Sequence, residues 1–216
     1  MWQKLFSLFF FALLGVSAPL IAQSSWKLYT EKDGIQVYTQ NLDGSRFKAV
    51  KTVCTVDAPL SKLAAVLMDV KNTQDWVYAT KTCSLLKQVS PEEVIYYSEV
   101  SLPWPARNRD FIISIAISQD MQNKAVTILA QNKPTYLPEK KNIVRIQQSS
   151  GKWLITPLHN GLTKIEYVLQ VDPGGWLPAW LVNLFAARGP FESFKNLREQ
   201  VKKPVYHSAQ LAFIKD

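Results

Sequence analysis

The stretch Arg109-Asp110-Phe111-Ile112-Ile113-Ser114-Ile115-Ala116-Ile117-Ser118 decides the fold. Side chains alternate across a strand, so Arg109 shares one face with Phe111, Ile113, Ile115 and Ile117. Asp110, Ile112, Ser114, Ala116 and Ser118 take the other face. A strand of this pattern turns a guanidinium toward a hydrophobic interior, where it needs an anionic partner. Two readings stay open. Arg109 is an internal ion-pair member with a carboxylate such as Glu99, or a strand end that snorkels to water; or it is the polar anchor of an apolar ligand pocket.

The same period of two recurs on both sides of this strand: about Lys81 to Val89, Val94 to Leu102, Ala125 to Gln131, Ile143 to Gln148, Lys152 to Pro157 and Thr163 to Val171. Ile35 to Thr39 and Phe47 to Val56 precede them, divided by the turn-like Asp43-Gly44. Such a series with short polar turns predicts an antiparallel sheet. His159 sits in the turn His159-Asn160-Gly161 and is read as a turn residue, not a catalyst. Pro59 opens a helix over about Leu60 to Val70 with Asp57 as its cap. A second helix is expected from about Pro178 to Lys202, kinked or interrupted at Gly189-Pro190. Leu181, Leu184 and Phe185 form its apolar stripe, continued by Phe191, Phe194, Leu197 and Val201. A long helix of this kind after a long sheet predicts an α+β fold with the helix across the sheet's concave face.

The chain has 216 residues and a formal net charge of +8. Lys4, the uncharged run Leu5 to Val16 and the small residues Ser17, Ala18 and Ala22 have the layout of a secretory signal peptide over residues 1–23. The run is shorter than the roughly 20 residues a span needs, although an uncleaved anchor is the alternative. Residues 24–216 then form a single domain, periplasmic or secreted after cleavage. Lys and Arg are interleaved with Asp and Glu, which argues against nucleic acid and fits a solvated surface that touches an anionic membrane transiently. Two cysteines, Cys54 and Cys83, permit one disulfide. No His or Cys spacing suits a metal, and no cofactor is expected.

Two blocks carry a family resemblance: Leu102-Pro103-Trp104-Pro105-Ala106-Arg107-Asn108-Arg109-Asp110-Phe111, and Asp172-Pro173-Gly174-Gly175-Trp176-Leu177-Pro178. Together they resemble the START domain, the steroidogenic acute regulatory protein-related lipid transfer family, in the form of a bacterial-type exported member. Smaller matches lie at Asp33-Gly34-Ile35-Gln36-Val37-Tyr38, Asp75-Trp76, Ile95-Tyr96-Tyr97 and Gly151-Lys152-Trp153-Leu154-Ile155-Thr156-Pro157.

The resemblance implies a helix-grip fold, a curved antiparallel sheet around a long C-terminal helix that encloses an apolar cavity. It implies non-catalytic binding, and transfer between membranes, of a phospholipid, sterol or fatty acid by a monomer. Phe111, Ile113, Ile115, Tyr167, Leu169, Leu184 and Phe185 would line the cavity, with Arg109, Glu99 and Tyr97 at its polar end. Trp104, Trp176 and Trp180 would form the gate or touch the membrane. In phospholipid-binding relatives the arginine matching Arg109 contacts the phosphate. Leu102 replaces a tyrosine of phosphatidylcholine-binding relatives, and Ala125 to Gln131 has no aromatic residue, so choline recognition is not implied. In the resembled fold the strands bearing Cys54 and Cys83 are not neighbours, which disfavours the disulfide. Two rivals remain: a cavity enzyme of the polyketide cyclase type, for which Glu99, Asp110 and Tyr167 form no motif, and a ligand-sensing module for a protein partner.

Overall fold

A computed structural model of the chain describes residues 25–42, 44, 47–209 and 211–216, so the expected leader lies outside the described residues. Ten strands form one sheet: β1 (Lys27–Lys32), β2 (Ile35–Asn41), β3 (Lys48–Asp57), β4 (Thr80–Ser90), β5 (Glu93–Val100), β6 (Arg109–Gln119), β7 (Val126–Asn132), β8 (Val144–Arg145), β9 (Gln148–Pro157) and β10 (Leu162–Asp172). Their order is β1-β2-β3-β10-β9-β7-β6-β5-β4, antiparallel throughout that path.

Among the described residues two α-helices complete the fold. In α1 (Leu60–Met68) the residues Leu60, Leu63, Ala64, Val66 and Leu67 are buried at helical spacing. Asp57 does not cap it, because Pro59 takes the cap position without a side-chain bond. The cap comes from far along the chain: Asp216 Oδ1 accepts the Ser61 N–H at 2.7 Å, and Asp216 Oδ2 accepts the Ser61 hydroxyl at 2.7 Å. The second helix, α2 (Ala179–Gln200), runs through Pro190 without interruption. Ser193 donates to the Gly189 carbonyl at 2.8 Å and accepts the Tyr78 N–H at 2.9 Å, so the helix is tied to its neighbour where the sequence suggests a break.

The C-terminal half of α2 packs on β2 and β3. Phe194, Leu197 and Val201 are fully buried there with Ile35, Val37, Val56, Ile155 and Ile165. Arg198 clamps this end by donating to the carbonyls of Thr55, Asp33 and Gly34. An aromatic stack supports it from the sheet: Trp153 lies 4.0 Å from Tyr167 and 5.4 Å from Phe194 between ring centroids.

The segment expected as a strand from Ile143 to Gln148 contributes β8, which pairs parallel to β6 beside Arg109 and Asp110, and the first residue of β9. An ion pair sets this arrangement. Arg145 donates to both carboxylate oxygens of Asp110, at 2.7 and 3.1 Å, and to the carbonyls of Pro134, Leu137 and Pro138. Both cysteines are free, one on β3 and the other on β4 at the far edge of the sheet. Burial pushes each thiol up to about 11.

Candidate functional site

Arg109 begins β6 and is buried, on the face that holds Ile113, Ile115 and Ile117 in the main core. Its partners are not carboxylates. Nε donates to Pro173 O at 3.1 Å, Nη2 to Gly174 O at 3.0 Å and Nη1 to Arg107 O. The Asp-Pro-Gly-Gly turn is built to present those carbonyls. Asp172 Oδ1 accepts the Gly174 N–H at 2.8 Å, and Gly174 and Gly175 hold φ of +65° and +62°, a conformation open mainly to glycine. One side chain therefore joins the two sequence blocks that carry the resemblance. Burial, then the neighbouring Arg107 charge, holds the Arg109 pKa below its usual range.

Glu99 and Tyr97 do not share this face. β5 pairs with β6 so that Val100 lies opposite Arg109, and Glu99 opposite Asp110. Tyr97 therefore joins Ile95 and Ile112 in a small outer cluster under Leu86 and Leu137, with Lys140 3.8 Å from its ring centroid. Glu99 accepts from Lys81 at 2.9 Å and from Asn108 at 2.7 Å. Burial alone would raise its pKa, but the hydrogen bonds from Lys81 and Asn108 outweigh it and hold the carboxyl below the ordinary value. These two residues anchor the base of the loop 101–108 from outside. The residues that replace them inside are Val94, Tyr96 and Ser98, in register with Ile115, Ile113 and Phe111.

The remaining predicted wall residues lie on the concave face of the sheet, except Leu184 and Phe185, which are on α2. Ile113 and Tyr167 pack against the main core, and Ile115 is buried in it. Phe111, Leu169, Leu184 and Phe185 are half-buried. Phe185 meets Tyr78 edge-on at 5.6 Å, and Tyr78 is a wall residue the sequence reading passed over. Leu184 and Phe185 on the first half of α2 thus keep accessible surface, unlike Phe194 and Leu197 on the second. Trp104, Trp176 and Trp180 are 90%, 78% and 55% exposed at the loop and turn that Arg109 connects. An open groove of about 940 Å³ lies at the C-terminal end of β10, lined by Leu42, Phe47, Asn132, Gln148, Ser150 and Val171.

The START domain model matches residues 15–206. The chain belongs to the START domain family. A bacterial relative, an uncharacterised protein of Pseudomonas aeruginosa, is 32% identical over 89% of this chain and 94% of its own length. The phosphatidylcholine transfer protein of Rattus norvegicus is 27% identical over 85% of this chain and 86% of its own. The STAR-related lipid transfer protein of Xanthomonas axonopodis superposes with a TM-score of 0.76 at 29% identity, covering 82% of this chain and 99% of that one. Human STARD10 gives a TM-score of 0.71 at 23% identity and shows the same fold. The START fold is the helix-grip architecture expected from the sequence, and the family binds lipids and other hydrophobic ligands.

Proposed function

We propose that this START domain is a non-catalytic carrier that holds one lipid beneath the first half of α2 and moves it between membranes. The observation that carries this reading is the unequal filling of one interface. Phe194 and Leu197 are fully buried with Ile155 and Ile165, whereas Phe111, Tyr167, Leu169, Leu184 and Phe185 keep surface that a hydrophobic chain would cover. Exposed Trp104, Trp176 and Trp180 on the adjoining rim suit transient contact with a membrane interface. The leader would place a monomeric carrier in the periplasm or the medium. Among the described residues no helix is long and apolar enough to cross a membrane.

Entry through the rim requires the loop 101–108 and the turn 172–176 to separate, which means releasing the carbonyls that Arg109 binds. The test is transfer of a fluorescent phospholipid from donor to acceptor vesicles by the mature protein. Cysteines introduced at Ala106 and Leu177 and joined by a short bis-maleimide should abolish transfer while preloaded lipid stays bound. No transfer or binding by the uncross-linked protein would sink the carrier reading. Normal transfer by the cross-linked protein would move the entrance to the groove at Leu42, Phe47 and Val171.

A further inference from the structure

The concave face is almost free of charge. On β5, β6, β7, β9 and β10 the side chains sharing it include no Asp, Glu or Lys, and Arg109 is their one cation. It does contain polar groups without partners. Thr52, opposite Tyr167 in the ladder, is fully buried, and its hydroxyl has no hydrogen-bond partner. No hydrogen bond among the described residues reaches the hydroxyl of Tyr96 or of Tyr167 either. Both residues are half-buried, and a phenol turned toward an apolar interior ordinarily finds a partner for its hydroxyl.

The position of Tyr167 is fixed. Its ring stacks on Trp153 at 4.0 Å, and a Cβ added to Gly151 would lie 3.3 Å from its hydroxyl and 3.2 Å from Ala130 Cβ. The phenol therefore reaches across β9 over two small residues toward the middle of the sheet. Tyr96 approaches from β5, in register with Ile113 and packed against the same core. Four ladder positions separate Ile113 from Arg109, about 13 Å at the usual strand rise, so the tyrosines and the guanidinium are different places.

We propose that Tyr96 and Tyr167 are specificity-determining residues that bind an uncharged oxygen of the ligand, a hydroxyl or an ester carbonyl, deep beneath α2. This rests on the carrier reading and names the chemistry its cavity selects. Each phenol offers one donor and accepts as well, which matches an alcohol or ester oxygen. Burial raises both phenol pKa values, and Cys83 and Tyr167 raise that of Tyr96 further, so both stay neutral and the site disfavours an added anion. A carboxylate or phosphate would be desolvated there without a counter-charge.

The probes are hexadecanol and palmitate, equal in chain length, titrated at pH 8 into delipidated mature protein and into Tyr96→Phe and Tyr167→Phe. Hexadecanol should bind the unaltered protein more tightly than palmitate. Each Phe variant should weaken hexadecanol about five- to tenfold, as loss of one hydrogen bond does, with palmitate affinity and thermal midpoint unchanged. If Tyr167→Phe does not fold, Gly151→Ala tests the same hydroxyl, because its methyl would crowd it at 3.3 Å and should weaken hexadecanol while sparing palmitate. Phe variants equal to the unaltered protein, or tighter binding of palmitate, would overturn the tyrosine site and leave the carrier intact. Failure of both probes and of vesicle phospholipid to bind would overturn the carrier reading, and the site with it.

Discussion

The two halves of α2 lie over one sheet and meet it differently. Toward its C-terminal end the helix is held firmly: Phe194 and Leu197 are at most 1% exposed and Arg198 clamps the end, while Trp153 and Tyr167, which stack beneath Phe194, stay half-buried. Between Ala179 and Arg188 Leu181 is buried but Leu184 and Phe185 are half-buried, and the start of the helix adjoins a turn whose carbonyls bind one arginine. One half contributes stability and the other leaves room. A fold can keep a ligand site open at one end of an interface only because the other end supplies cohesion, since net stability is a small residue of large terms.

The largest effect should come from the packed half. Phe194→Ala is expected to cost about 3–5 kcal/mol through lost burial and a cavity against the stacked Trp153 and Tyr167, while Phe185→Ala costs less than about 1.5 kcal/mol. Urea unfolding of the two variants measures the contrast directly. Equal losses would mean that the interface is uniformly packed, and the division drawn here would fail.

Arg109 comes next, because it joins the open half to the loop. Arg109→Leu leaves the carbonyls of Arg107, Pro173 and Gly174 without their donor and should cost roughly 1.5–3 kcal/mol. Proteolysis near residues 101–108 and 172–176 should rise before global unfolding. Arg109→Lys should recover only part of the loss, since an ammonium cannot reproduce the fork that meets three carbonyls. Full recovery would show that charge alone matters.

The smallest effect is acid loosening of the loop base. The Glu99 carboxyl is held below its ordinary value by Lys81 and Asn108, so the stability it gives is present above the unfolded-state value, near 4.3, and is lost as pH falls through the lower folded value. Hydrogen exchange at Leu102, whose N–H donates to Asn108 Oδ1 at 3.2 Å, should then speed up in acid after correction for its intrinsic rate. Glu99→Gln should remove that pH dependence. Retention of it would place the titrating group elsewhere.

How much was legible can be argued from single residues. The inward parity of Arg109 with Ile113, Ile115 and Ile117 was readable, because alternation along one strand is a local property of the backbone. The parity of β5 was not. Ile95 and Tyr97 are as apolar as Val94 and Tyr96, since the loop 133–143 covers the outer face with Leu137, and no alternation marks which set points in. Sequence alone therefore groups Glu99 with Arg109, whereas the ladder sets it beside Asp110. Arg145, the real partner of Asp110, left a faint signal as a charge between Val144 and Ile146.

By itself the sequence determined the antiparallel sheet, the closing helix with its apolar stripe and the family to which these belong, because strand period, helix period and turn residues act over a few positions. Tertiary structure alone decided that the arginine is held by the Asp-Pro-Gly-Gly carbonyls, that Glu99 and Tyr97 face outward, and that Tyr96 and Tyr167 point into the same interior. Those facts depend on register and on contacts between residues 60 or more positions apart, and β4 shifts register three times against β5 on the way. A chain's periodicity fixes which faces exist; only the pairing of strands fixes which residues meet on them.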